Sequence, residues 1–201
     1  LEQTGQLDNT IIVYTSDNGF FLGEHGCVDK RAMYEESIRV PLLVRYPRLI
    51  RRPMVVQEMV LNIDLAPSLL DLCGVRPLET AQGRSWRQLL QGNAQGWRRS
   101  WLYSYNYERE FPYTPNIRGV RTDRWKYIRY PHGDGTPDRY CAELYDLQND
   151  PLEKRNLIDD PAAAEKVREL RAELDRLLVE TGAVPDPMPI DEGIRNVLPK
   201  Y

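Results

Sequence analysis

Three features of the sequence predict an α/β fold carrying a smaller subdomain of antiparallel sheet and helix. An apolar run, Ile11 to Tyr14, is stopped by a small polar pair and then by Asp17-Asn18-Gly19, the pattern of a buried strand that ends in a turn. Trp101 to Tyr107, Gly119 to Thr122 and Trp125 to Tyr130 instead alternate aromatic or apolar with polar residues, and Asp123-Arg124 reads as a hairpin turn between the last two. Val167, Leu170, Leu174, Leu177 and Leu178 recur at helical spacing behind Asp160-Pro161, an N-cap with proline at the first helical position. The change of texture puts a boundary near residue 97. Residues 1–97 form the α/β part; residues 98–201 form an antiparallel sheet packed by helix 161–181, followed by an irregular tail past Val184.

Taken in order, residues 1–8 read as the end of a helix cut from something longer. Ile11 to Thr15 is apolar on both faces, as expected of a central parallel strand covered on both sides. Phe20 to Arg31 is an irregular loop in which Gly19, Gly23 and Gly26 permit positive φ or a close approach. Met33 to Ser37 makes one helical turn, and Leu42 to Tyr46, after Pro41 and before Pro47, is the next strand. Val55 to Leu61 is a short extended segment. Asp64 then caps a helix over Leu65 to Cys73 that Gly74 ends. Ser85 to Leu90 is a short helix, and Glu143 to Asp146 adds a further strand.

Composition excludes several functions. Lys and Arg number 27 against 30 Asp and Glu, a net charge of −3, which lacks the basic excess of a general nucleic-acid binder. No run approaches the roughly 18 apolar residues of a membrane span. Cys27, Cys73 and Cys141 are too few and too scattered for a disulfide framework or a zinc cluster, and read as buried or idle thiols. With neither a signal peptide nor an initiating Met, the sequence leaves the compartment open.

The strand end at Asp17-Asn18-Gly19 concentrates the chemistry. Neighbouring residues of a regular strand point to opposite faces, so Asp17 and Asn18 can reach one ion only where the backbone turns. A carboxylate and an amide oxygen suit a hard cation such as Ca²⁺ or Mg²⁺; the same tripeptide is also a common plain turn. Lys30 can hold one oxygen of a tetrahedral anion as a point charge and Arg31 can do so as a fork, or the two are simply an exposed basic pair. His25, between Gly23 and Gly26, is either a proton donor to a leaving oxygen or a surface histidine.

Several blocks together carry a family resemblance. Tyr14-Thr-Ser-Asp-Asn-Gly-Phe-Phe-Leu-Gly-Glu-His-Gly26 followed by Asp29-Lys-Arg-Ala-Met-Tyr-Glu-Glu-Ser-Ile-Arg-Val-Pro-Leu-Leu-Val-Arg45 resembles the second half of a type I sulfatase, in the branch of the glucosamine-6-sulfatases. Gly119-Val-Arg-Thr-Asp-Arg-Trp-Lys-Tyr-Ile128 and Glu143-Leu-Tyr-Asp-Leu-Gln-Asn-Asp-Pro-Leu-Glu153 resemble the C-terminal subdomain of the same family. The resemblance implies the C-terminal part of an alkaline-phosphatase-like fold and Ca²⁺-dependent hydrolysis of sulfate esters by a hydrated formylglycine. It makes Asp17 and Asn18 metal ligands and Lys30 a sulfate contact; His25 matches no residue that is general in the family.

The match is incomplete. The C/S-x-P-x-R motif that yields formylglycine is absent, because Asp29 stands where Cys27-Val-Asp-Lys-Arg31 would need its proline. The nucleophile and the first acidic metal pair are therefore expected in a missing N-terminal half, without which this chain is inactive. Asn106, Tyr107, Arg109, Tyr113, Asn116, Arg118 and His132 are candidate substrate contacts, with Asn106 and Arg118 foremost, and aromatic and arginine groups suit a sulfated carbohydrate. Arg121, Arg124, Lys126 and Arg129 form either a polyanion track or a solvated hairpin face. A phosphonate or phosphate monoester hydrolase and a noncatalytic remnant are the alternative readings.

Overall fold

The computed structural model describes residues 1–76, 78–108, 114–131 and 140–184, without the side chains of Pro131 and Tyr140. In chain order the strands are β1 (Ile12–Thr15), β2 (Phe21–Leu22), β3 (Val28–Asp29), β4 (Leu42–Arg45), β5 (Ser100–Tyr105), β6 (Ile117–Thr122), β7 (Trp125–Pro131) and β8 (Tyr140–Asp146). The helices are α1 (Glu35–Ile38), α2 (Leu65–Leu72), α3 (Arg87–Leu90) and α4 (Ala164–Glu180). By contacts the chain forms two units, Leu1–Asp17 with Val40–Arg99 and Asn18–Arg39 with Ser100–Tyr201. None of the described helices is long and apolar enough to cross a membrane.

In the first unit, β1 pairs with β4 with Val13 opposite Val44 and Tyr14 opposite Leu43. The ladder is antiparallel, which corrects the parallel strand predicted for Ile11 to Thr15. An apolar run reports that a strand tends to be covered; it holds no information about the direction of its neighbour. Coverage is also one-sided within this unit. Tyr14 and Leu43 are exposed, whereas Val44 packs with Ile11, Tyr46 and Leu49 around Leu72, Trp86, Leu89 and Trp97. Residues 1–8 form turns rather than a helical tail, with a short 3-10 turn at Leu7–Asn9.

Asp64 is buried and does not cap α2 with its side chain. Its carboxylate instead accepts the amides of Leu61 and Arg84, both at 2.8 Å, and grips Arg98 through Nη1 at 2.5 Å and Nη2 at 2.7 Å. The predicted cap is thus an internal tie between three loops, a bidentate geometry that holds arginine more tightly than a single contact would.

The second unit is built on an antiparallel sheet in the order β5-β6-β7-β8. Val120, Tyr127 and Leu144 stand side by side across three strands and bury the predicted stripe of α4, Leu170, Leu174, Leu177 and Leu178. Asp160 caps the 3-10 turn Pro161–Ala163 that runs into α4, accepting the Ala162 amide at 2.9 Å. Alternation sends Ile117, Ile128 and Tyr145 to the opposite face, where they pack with Phe21, Met33 and Tyr34 from the segment 18–39. The sheet is therefore covered on one face by α4 and on the other by that segment.

The basic residues of the hairpin are paired with carboxylates, and of the four only Arg124 is exposed. Lys126 is fully buried between Glu35 and Glu153, Arg121 pairs with Glu35 at 3.3 Å, Arg124 with Asp146 at 2.5 Å, and Arg129 with Asp175 at 3.5 Å. Sequence alternation marks polar positions; it does not reveal that their partners come from distant segments.

Candidate active site

The loop from Asn18 to Arg31 folds back onto α1, a helix of one turn. Gly19 donates its N–H to the Ser37 carbonyl at 2.7 Å and Phe20 donates to that of Glu36 at 2.9 Å. A Cβ at Gly19 would fall 1.9 Å from the Glu36 oxygen, so the glycine is required for close approach of two backbone segments. Part of the loop predicted to be irregular is a small ladder, with Phe21 opposite Asp29 and Leu22 opposite Val28. Its tip is tight: Gly23 and Gly26 have φ of 127° and 68° and the non-glycine His25 sits at 55°, while Asp29, in β3, sits at 83°. Left-handed backbone at non-glycine residues costs about 1–3 kcal/mol each and persists only where surrounding contacts enforce it.

His25 is exposed through its backbone while its ring is largely covered. The ring stacks on Tyr34 with centroids 4.0 Å apart, and Nε2 lies 3.3 Å from Glu36 Oε2. Below it, the phenols of Tyr34 and Tyr145 donate to Glu143 at 2.8 and 2.9 Å. Burial first, then Tyr130 and Glu143, push the Tyr34 phenol well above its ordinary range, so it remains a neutral donor. Burial and the charges of Glu143 and Glu36 also push the Cys27 thiol up, which keeps it protonated.

Lys30 is exposed, and its carbonyl accepts the Ser37 hydroxyl at 2.5 Å. Arg31 is engaged elsewhere: it pairs with Asp29, lies 3.6 Å from Glu108, and its carbonyl accepts the Tyr103 hydroxyl at 2.7 Å. Asn18 begins the second unit and donates Nδ2 to the Gly19 carbonyl at 2.7 Å. Asp17 ends the first unit, is exposed, and its backbone carbonyl accepts from Asn62 Nδ2 at 2.6 Å. A carboxylate and an amide oxygen are hard donors, so the pair fits Ca²⁺ or Mg²⁺ in kind.

Arg118 is buried and donates to the carbonyls of Tyr105 and Ile117, both at 2.9 Å, and to Asn106 Oδ1 at 2.7 Å. Asn106 itself is exposed. Asn116 is buried and accepts the Tyr107 amide at 2.8 Å. Arg109, Tyr113 and His132 lie outside the described residues.

Reading the sequence missed the groups that hold α1 in place. Glu153 accepts the Glu35 amide across 118 positions at 2.7 Å, and Lys126 Nζ lies 2.6 Å from Glu153 and 2.9 Å from Glu35. Burial outweighs Lys126 and raises the Glu153 carboxyl; at Glu35 the burial penalty is overcome by Lys126 and Arg121, which hold it below its ordinary value. Glu153 belongs to the 143–153 block noted above, the one local signal that pointed toward it.

Residues 23–180 match the family described as N-sulphoglucosamine sulphohydrolase, C-terminal. The chain is 40% identical over 187 residues to an N-acetylglucosamine-6-O-sulfatase of Bacteroides thetaiotaomicron, covering 90% of this chain and 31% of that protein. A protein solved in complex with its substrate D-glucosamine-2-N,6-O-disulfate superposes with a TM-score of 0.83 at 39% identity, over 96% of this chain and 38% of that one. A phosphonate monoester hydrolase from Silicibacter pomeroyi superposes with a TM-score of 0.75 at 28% identity, over 90% of this chain and 37% of that one.

Proposed function

Because this chain belongs to the sulfatases through the N-sulphoglucosamine sulphohydrolase C-terminal family, we propose that it supplies metal and sulfate contacts to a calcium-dependent hydrolase of sulfate esters. Its fold is the C-terminal part of the alkaline-phosphatase-like sulfatase fold, with small antiparallel sheets and helices. The observation that carries the functional reading is the loop tied to α1, which leaves the Lys30 side chain exposed while its backbone is held by Ser37.

In this reading the Lys30 ammonium faces one oxygen of the tetrahedral anion and offsets charge that grows there in the transition state. Glu36 and Tyr34 orient the His25 ring, and an imidazole so held can deliver a proton to the departing alcohol oxygen at its other nitrogen. Asp17 and Asn18 are this chain's share of the oxygen donors that would hold Ca²⁺, with Mg²⁺ the alternative; the bound ion would supply Lewis-acid stabilisation of the anion. The formylglycine that the family uses needs a C/S-x-P-x-R motif, which occurs nowhere in these 201 residues, so it is assigned to a segment outside them.

A sulfated carbohydrate is the proposed substrate class, supported by the relatives named above. Asn106 is the proposed sugar contact, and Arg118 takes part by fixing its amide through the 2.7 Å bond. Likeness to a phosphonate monoester hydrolase favours a second reading, because phosphonate and sulfate present similar tetrahedral oxygens.

The test uses the full-length protein that contains this chain. Lys30→Ala is expected to lower turnover of glucosamine 6-sulfate by about 10²-fold or more, the scale of losing one oxyanion donor. Turnover near that of the unaltered protein would refute the role of Lys30. Rates on nitrophenyl sulfate and on a phenyl phosphonate monoester separate the two readings, and a faster phosphonate reaction would favour the second.

A further inference from the structure

We propose that the buried ion pair of Lys126 and Glu153 is a positioning device for the candidate site, acting through α1; this rests on the assignment of Lys30 as the sulfate contact. Both side chains have 0% exposure and their charged atoms are 2.6 Å apart. Such a pair is a poor source of stability, because desolvation of two charges offsets most of their attraction and apolar replacements are often as stable. What the pair supplies is geometry. Glu153 accepts the N–H of Glu35, the first residue of α1, at 2.7 Å, and Lys126 holds the Glu35 carboxylate at 2.9 Å. Arg121 takes the other oxygen of that carboxylate at 3.3 Å.

A helix of four residues cannot stand alone in water, since nucleating a single turn is unfavourable. The first N–H groups of a helix also lack partners within it, so an outside carboxylate fixes both its start and its rotation. Glu153 is itself set in left-handed backbone, with φ of 50°, at the exit of the turn begun at Asp150. Besides the contact of Glu36 with the His25 ring, three bonds from α1 return to the backbone of the site loop. Ser37 Oγ donates to the Lys30 carbonyl, and the carbonyls of Ser37 and Glu36 accept the amides of Gly19 and Phe20, beside Asn18. The turn at Asn18 and the backbone of Lys30 are thus referred to one short helix, and that helix to one carboxylate from beyond β8.

Double-mutant cycles in the full-length protein test this, with kcat and KM measured on nitrophenyl sulfate and thermal unfolding followed in parallel. Glu153→Leu keeps Lys126 paired with Glu35 and is expected to lower kcat about 10- to 100-fold with KM little changed, the scale of a small misplacement of a catalytic group. Ser37→Ala, which cuts only the tie to the Lys30 carbonyl, is expected to lower kcat by a smaller factor without lowering the unfolding temperature. In the Lys30→Ala background the Ser37→Ala loss should vanish and the Glu153→Leu loss should shrink, because an absent ammonium cannot be misplaced. Equal losses in both backgrounds, or no loss in either, would overturn the positioning role. If Glu153→Leu fails to fold, the Ser37→Ala cycle decides alone. Unimpaired Lys30→Ala would instead sink the underlying assignment.

Discussion

Gly19 shows how one residue links the strand end to the site. Its φ is not among the positive values, so its role is not to permit a left-handed turn. The constraint is space, since a methyl group there would sit 1.9 Å from the Glu36 oxygen and 2.9 Å from its carbon. Backbone cannot swing aside as a flexible side chain can. Gly19→Ala should therefore lengthen the bonds to Ser37 and Glu36, cost about 1–3 kcal/mol by overpacking, and displace the loop. Chemical denaturation of the purified variant checks the stability loss; an unchanged midpoint would show that α1 yields instead.

At the scale of elements, α4 is the clearest case of pattern becoming packing. Leu174 is fully buried in the cluster with Val120, Tyr127 and Leu144, in the middle of a 17-residue helix. Leu174→Ala should destabilise by about 2–5 kcal/mol, from lost transfer energy and an incompletely collapsed cavity. Equilibrium unfolding gives the value directly, and a loss below about 1 kcal/mol would mean that the sheet face does not depend on this contact. α1 behaves differently. It has too few residues to bury a stripe, and its contacts are with Glu153, Lys126 and the returning loop.

For the molecule as a whole, acid stability follows from which carboxylates are paired. Asp146 is held below its ordinary value of 3.8, chiefly by the Arg124 hydrogen bonds against a smaller burial penalty, with help from Asn149. A depressed folded pKa means the unfolded chain binds the proton more readily as pH drops. The resulting stabilisation is present above about 3.8 and is lost as pH falls through the lower folded value. The melting temperature of Asp146→Asn should therefore fall below that of the unaltered protein near neutrality and converge on it in strong acid. Parallel curves down to the lowest pH would contradict this pairing.

Local pattern by itself determined β1, β4 and the strands of the larger sheet, the hairpin at Asp123-Arg124 and the α4 stripe, because side-chain period and turn chemistry are properties of a few neighbouring residues; the short ladder of β2 and β3 escaped it. It also drew attention to Asp17, Asn18, His25 and Lys30 as groups with suitable chemistry in one short stretch. Only the tertiary structure decided that β1 meets β4 antiparallel, that Lys126 is buried, and that Asp64 is a tie rather than a cap. Those outcomes depend on partners far along the chain, Glu153 for Lys126 and Arg98 for Asp64, and no local period encodes a distant partner. The same holds for the loop of Lys30: its residue types were legible, while its fixing by Ser37 and, through α1, by Glu153 required the fold.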